Sequence, residues 1–265
     1  MAGAFSFPRA GARPTGLTMH ALSALLFDKD GTLVHFDRTW GPAAGAVMRT
    51  LAAGDARALA RLEQVSHYLP DEERFLFTSP LVSGSSAHYG PLWAHAVGRP
   101  ATADFLALID ELFAQEGLAS LTPIGNPRAT LARLAADGFR LGIVTNDGED
   151  GARRQAEALG ILPLLDAVHG YDSGFGSKPG PGMVQAFAER FGHAPEAMAV
   201  IGDSPHDLSA ARGAGARFIL VRSGPAPVDD LIADADLVVD SIDDLPHALA
   251  PFRAAPPSPA RENAV

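Results

Sequence analysis

Runs of apolar residues frame this chain. From Leu22 to Phe27 every position but Ser23 is apolar, and the run is then cut by Asp28, Asp30 and Gly31. That reads as a buried strand ending in a tight turn that presents carboxylates. From Ala43 to about Gly117 the period changes: Val47, Leu51, Leu59, Leu62 and Val65 recur at helical spacing, as do Phe105, Leu108, Ile109, Leu112 and Phe113. No strand is predicted there, and the Ser-, Pro- and Gly-rich stretch Phe75 to Tyr89 reads as a loop between helices. Past Pro123 helix and strand alternate. Pro127 to Ala136 reads as a helix closed by Gly138, and Phe139 to Val144 as a strand ending at Thr145-Asn146-Asp147-Gly148. Glu149 to Leu159 is a polar helix, Ala167 and Val168 mark a short strand, and Met183 to Phe191 is a helix after the loop Gly174 to Pro181. Met198 to Ile201 is a strand followed by Gly202-Asp203-Ser204-Pro205-His206-Asp207 and a helix to Arg212; further strands run Phe218 to Val221 and Leu237 to Val239.

Alternation of this kind predicts an α/β fold, a Rossmann-like parallel sheet with helices on both faces, interrupted by an inserted α-helical domain. The division expected is a tail at 1–18, the sheet domain at 19–36 and 121–250, the helical insert at 37–120, and a second tail at 251–265. The first tail carries Pro8, Arg9, Gly11, Arg13, Pro14 and Gly16 without periodicity, so Met19 is an alternative start; the last carries Pro256, Pro257 and Pro259. Read as a signal peptide, Ala21 to Phe27 would be the apolar region, but no small-residue cleavage site precedes the acidic turn.

Composition narrows the function. The 265 residues include no cysteine, which excludes disulfides, thiolate metal sites and a Cys nucleophile and is compatible with a cytoplasmic location. A net charge of −10 without a basic stripe argues against nucleic acid as a partner. No apolar run is long enough for a membrane span.

Ligand sites in such sheets lie at the carboxyl ends of the strands. Asp28 and Asp30 follow the first strand, Thr145 and Asn146 the second, Lys178 lies in the loop after the third, and Asp203 and Asp207 follow the fourth. Each alone has a bland reading: lone acids form turns, Ser204 with Pro205 and Asp207 suits a helix start, and a loop lysine is usually solvated. Together they describe one site. Asp28, Asp30, Asp203 and Asp207 offer the hard oxygen donors that Mg²⁺ takes, while Thr145, Asn146 (through its backbone N–H at a helix start) and Lys178 would hold the oxygens of a phosphoryl group. A metal and a lysine also offset the mutual repulsion of the acids. With one carboxylate free to attack, the set suits covalent phosphoryl transfer through an aspartyl-phosphate.

The run Asp28-Lys29-Asp30-Gly31-Thr32-Leu33-Val34, the pair Thr145-Asn146, the run Lys178-Pro179-Gly180-Pro181, and Gly202-Asp203-Ser204-Pro205-His206-Asp207 resemble, in order and spacing, the four motifs of the haloacid dehalogenase superfamily. The long interval between the first two motifs and the short one between the next two resemble its phosphoglycolate phosphatase group, whose helical cap lies in the first interval. The resemblance implies that Asp28 is the nucleophile and a Mg²⁺ ligand. Asp30 would protonate the leaving alkoxide, then deprotonate the hydrolytic water, with its main-chain carbonyl on the metal. Thr145 and Lys178 would bind the transferring phosphoryl group, Asp203 would hold Mg²⁺ directly, and Asp207 would act through water or by positioning. Dehalogenases of the superfamily lack the second acid, so Asp30 favours a phosphatase. Lys29 departs from the pattern, in which an apolar residue is commoner; in a strand-like register it would point away from Asp28 and Asp30.

The function this implies is hydrolysis of a small phosphorylated metabolite, phosphoglycolate first among them, by a monomer or homodimer. A β-phosphoglucomutase-like phosphotransferase and a non-catalytic phosphate-binding protein are the alternatives. Substrate choice falls to the insert, where Arg49, Arg57, Arg61, His67, Arg74, His88, Tyr89, Trp93 and His95 are the candidate contacts and Ser83 to Gly90 the stretch expected to move.

Overall fold

The computed structural model describes residues 21–82 and 86–252. The expectations for residues 1–18, for 253–265 and for Ser83 to Ser85 lie outside them. Six parallel strands make the main sheet: β1 (Ala24–Phe27), β4 (Arg140–Val144), β5 (Ala167–His169), β6 (Met198–Gly202), β7 (Arg217–Val221) and β8 (Leu237–Val239), in the order β5-β4-β1-β6-β7-β8. The expected α/β class and parallel topology are therefore found. The alternation of side chains along each strand explains why the sheet is covered on both sides. Leu25, Phe27, Leu141, Ile143, Ala199 and Ile201 feed one apolar layer, and Ala24, Leu26, Val144, Met198 and Val200 feed the other. Helices α5 (Pro127–Ala136) and α6 (Glu149–Ala158) contribute Leu131, Leu134, Ala152 and Ala156 to the first layer; α7 (Gly182–Phe191) and α8 (Pro205–Ala214) contribute Val184, Phe187, Ala210 and Ala211 to the second.

β1 sits between β4 and β6, so the chain departs to opposite sides of it. Phe27 lies level with Ile143 of β4 and Ile201 of β6. One residue beyond that level comes Asp28, and two beyond come Thr145 and Asp203. Register, more than any loop, brings these three together.

Between the first turn and α5 stand four helices, α1 (Phe36–Ala52), α2 (Ala56–Val65), α3 (Ser86–Ala96) and α4 (Ala103–Ala119), packed on their own apolar cluster of Met48, Leu62, Trp93, Phe105 and Ile109. The strand-free reading of this segment needs one correction: β2 (Tyr68–Leu69) and β3 (Arg74–Phe75) form a short antiparallel hairpin, tied by the Tyr68 hydroxyl to the Gly41 carbonyl and by edge-to-face contact of Tyr68 with Phe75. Two-residue strands are too short to show a period. A second correction concerns the loop read from Phe75 to Tyr89, whose part from Ser86 onward is helical. At the other end, Pro251 and Phe252 belong to a 3₁₀ turn rather than a tail, and the Phe252 carbonyl accepts from the Leu22 N–H at 2.8 Å. No helix among the described residues is long and apolar enough to cross a membrane.

Candidate active site

After Phe27 the chain stops being a strand. The Lys29 carbonyl accepts from the N–H groups of both Leu33 and Val34, and Gly31 takes φ +86°, a left-handed conformation that suits glycine. A side chain at Gly31 would also run into the Asp203 carboxylate, as would one at Gly224. These two bare backbones let Asp203 close on the turn. The Ser223 hydroxyl, beside Gly224, donates to the Gly31 carbonyl at 2.7 Å and pins the two loops together.

Lys178 supplies the positive centre. Its ammonium lies 2.5 Å from Asp28 Oδ1 and 2.7 Å from Asp207 Oδ1, with all three side chains buried. Its loop is braced by Asn146, whose side-chain oxygen accepts from the Lys178 N–H at 2.8 Å and whose amide donates to the Lys178 carbonyl at 3.0 Å. That corrects the expectation for Asn146: helix α6 starts only at Glu149, behind the N-cap Gly148, so Asn146 sits in the turn before it. Its polar side chain braces the loop that carries Lys178. Asp207 serves both readings the sequence allowed. With Ser204 it forms the capping box of α8, its Oδ2 accepting from the Ser204 N–H and hydroxyl, while Oδ1 takes Lys178.

Carboxylate oxygens of Asp28, Asp203 and Asp207 come within 4.8 Å of one another, a donor set suited to a divalent cation. Burial first, and crowding second, raises two of them. Burial pushes Asp28 up to about 7, with Asp207 and Asp30 adding to the rise and Lys178 opposing it. Burial likewise raises Asp203 well above its ordinary range, and the charges of Asp28 and Asp207 add to that. Burial disfavours the charge on Lys178, but Asp207 and Asp28 outweigh it and keep the ammonium protonated. Hard oxygens, close approach and an unmet demand for positive charge all fit Mg²⁺. The Asp30 carboxylate stands outside this group.

Asp30 is instead engaged by two donors. Trp40 Nε1 of α1 donates to Asp30 Oδ1 at 2.5 Å, and Lys29 Nζ lies 2.6 Å from Oδ2. Lys29 does not point away from its neighbours as a strand register required. The coil after Asp28 turns its side chain inward to 1% exposure, where it also pairs with Asp147 at 2.8 Å and lies 4.9 Å from the centre of the Trp40 ring. Burial opposes the Lys29 charge, while Asp147 and Asp30 hold it protonated.

Asp28, Asp30, Thr145, Asn146, Lys178 and Asp203 open into one cavity of about 690 Å³, whose far wall is made by Phe36, Trp40, Tyr89 and Phe113 of the helical segment together with Asp110 and Glu111. Thr145 is buried at its floor, its hydroxyl accepting from the Asp147 N–H at 3.1 Å. Of the candidate contacts in the insert, Tyr89 alone lines this cavity. Trp93 is in the helical core, donating to Ser66, Arg61 donates to the Ala96 carbonyl, Arg74 pairs with Glu72, and His67 meets Thr78. Trp40 and Asp147 were not singled out by sequence. Trp40 stood in a segment read as connection, and Asp147 as the third polar residue of a turn.

Comparison with known proteins places the chain in a family. Residues 22–215 match the family model described as haloacid dehalogenase-like hydrolase. A phosphoglycolate phosphatase of Rhodospirillum rubrum is 34% identical over 76% of this chain and 80% of its own length, and one of Cereibacter sphaeroides is 29% identical over 79% and 90%. The solved structure of a HAD phosphatase from Thermococcus onnurineus superposes with a TM-score of 0.62 at 22% identity, covering 88% of this chain and 100% of that one, a likeness of fold. The chain thus belongs to the haloacid dehalogenase-like hydrolase family.

Proposed function

We propose that this protein is a Mg²⁺-dependent phosphomonoester hydrolase acting through a phosphoryl group carried by Asp28. The observation that carries the reading is the Lys178 ammonium seated between Asp28 and Asp207. It opposes the protonation that burial favours at Asp28 and leaves one N–H for an incoming dianion. Relatives named phosphoglycolate phosphatase support ester hydrolysis of this kind.

In this reading the substrate's phosphoryl oxygens accept from the Lys178 ammonium and the Thr145 hydroxyl. Asp28 attacks phosphorus in line; as its bond to phosphorus forms, the ester P–O bond breaks, and Asp30 gives a proton to the departing alkoxide. Asp30, now a carboxylate, takes a proton from water as the water oxygen attacks phosphorus. The bond to Asp28 breaks, and inorganic phosphate leaves. Asp28, Asp203 and the Asp30 carbonyl would hold Mg²⁺, with Asp207 fixing Lys178 from behind. When bound, the ion supplies positive charge that offsets the three acids and the charge building on the transferring oxygens. Residues 37–120 act as the cap over the core of 19–36 and 121–250, excluding water from the phosphoryl site.

Release of phosphate from p-nitrophenyl phosphate tests this directly. Activity requiring Mg²⁺, abolished by EDTA and by Asp28→Asn, is expected; activity indifferent to both contradicts it. Among metabolites, phosphoglycolate is the first to assay, since it is named for the relatives.

A further inference from the structure

Lys29, at 1% exposure, is a buried charge that the mechanism above does not use. An ammonium inside a protein is costly unless paired, and an apolar side chain of similar length would avoid the cost. Here two carboxylates on different loops meet it: Asp30, which follows β1, and Asp147, which follows β4. A third contact comes from the helical segment, for the Trp40 ring lies beneath the ammonium while its N–H takes the other Asp30 oxygen. The indole is itself confined. Gly117 of α4 leaves the space its ring fills, and Phe113 packs on it edge-to-face.

We infer that Lys29 is a positioning residue, which together with Trp40 fixes the Asp30 carboxyl group at the cavity in the one orientation from which it exchanges a proton with the leaving group. The inference rests on the proposed role of Asp30 as acid and base. The Trp40 N–H occupies one lone-pair site on Oδ1 while the Lys29 ammonium holds Oδ2 by charge at 2.6 Å, so acceptor sites remain for the proton that moves. A carboxyl group gripped at both oxygens by groups from the sheet side and from the helical side has little freedom to rotate. Proton transfer falls off steeply with such freedom, because it requires the donor within hydrogen-bond reach of the departing oxygen. Asp147 completes the arrangement by holding the ammonium from the far side, so that Lys29 cannot follow Asp30 into the cavity.

A positioning role of this kind shows in how the rate depends on the leaving group. A nitrophenolate departs without a proton, whereas a benzyl alkoxide needs one. We therefore compare kcat/KM, with Mg²⁺ present, for p-nitrophenyl, phenyl and benzyl phosphate, three esters of similar size. Lys29→Met is expected to lower kcat/KM for benzyl phosphate by roughly thirtyfold or more and for p-nitrophenyl phosphate by no more than about threefold, the range general acid catalysis commands. In an Asp30→Asn background the same substitution is expected to change either value by less than about twofold, because residues acting through one another are not additive. Trp40→Phe keeps the ring and removes the N–H, so it should produce the same leaving-group dependence in smaller measure; it carries the test if Lys29→Met does not give a cooperative thermal transition. Equal losses across the three esters, or an undiminished effect of Lys29→Met without Asp30, overturn the inference while the proposed function stands. An Asp30→Asn enzyme that hydrolyses benzyl phosphate at the original rate overturns both.

Discussion

Lys178 Nζ lies 2.5 Å from Asp28 Oδ1, across 150 positions of sequence, and both groups are buried. The pair joins the loop after β5 to the end of β1 and makes the charge of one residue depend on the other. Removing the ammonium leaves Asp28 and Asp207 facing each other without a counter-charge. Lys178→Met is therefore expected to cost about 3–5 kcal/mol of stability, the usual penalty for breaking a buried pair. It should also lower kcat by roughly 10²–10³, as loss of a preorganised donor does. Thermal unfolding with and without Mg²⁺, alongside turnover of p-nitrophenyl phosphate, measures both.

Acidity gives a second prediction. Asp28 is raised by burial to about 7 and Asp203 is raised in the same direction. A carboxyl group that binds its proton more tightly when folded contributes stability that is complete below its unfolded pKa and is lost as pH rises through the folded one. Without metal, Tm should therefore fall between about pH 4 and pH 7, by an amount of the order of a few kcal/mol in stability. Lys178 and Lys29, both raised, lose their contributions only at strongly alkaline pH and do not disturb this window. Mg²⁺ binds the ionised acids, so its stabilisation should be larger at pH 8 than at pH 5. Melting curves in EDTA and in excess Mg²⁺ at the two pH values decide it; a metal shift that is larger at pH 5 is the contrary result.

The turn at Gly31 is held at φ +86° with the Asp203 carboxylate against its backbone. Gly31→Ala combines backbone strain of roughly 1–3 kcal/mol with a clash that pushes Asp203 aside. Weaker Mg²⁺ dependence of folding and a higher Mg²⁺ requirement for turnover are expected, read by titrating the metal against Tm and against rate.

Asn146 makes two hydrogen bonds to the backbone of Lys178. Asn146→Ala should release the loop, costing roughly 1–3 kcal/mol for the unmet partners and lowering activity through a misplaced ammonium. Asn146→Asp keeps the acceptor for the Lys178 N–H, loses the donor, and should fall between the two proteins in Tm.

The sheet was legible because its strands are short apolar runs ended by acids, glycine or polar turns, and because alternation with helices admits few topologies. The convergence of Asp28, Thr145, Lys178 and Asp203 followed from the rule that places ligands at strand ends. What escaped has physical reasons. Lys29 was assigned a direction from strand periodicity, yet the chain abandons the strand at Asp28 and coils, so the parity no longer applies. Trp40 lies in a helix that starts as soon as the turn ends, and nothing in its spacing marks a side chain aimed at Asp30. The β2–β3 hairpin is two residues deep, below the length at which alternation is readable. Spacing alone does not separate a substrate-facing arginine of the insert from a surface one, and Arg61 and Arg74 are taken up by the Ala96 carbonyl and by Glu72.

The central claim is that Asp28 itself carries the phosphoryl group between the two half-reactions. Asp30→Asn, which lacks the base for the second half, should slow hydrolysis of the intermediate more than its formation from p-nitrophenyl phosphate. Quenching that variant in acid during turnover with Mg²⁺ and mapping its peptides by mass spectrometry is the most direct measurement. The account predicts one added phosphoryl group, on the peptide spanning β1 and at Asp28; a fully turning-over enzyme with no protein-bound phosphate, or with the group on another residue, contradicts it.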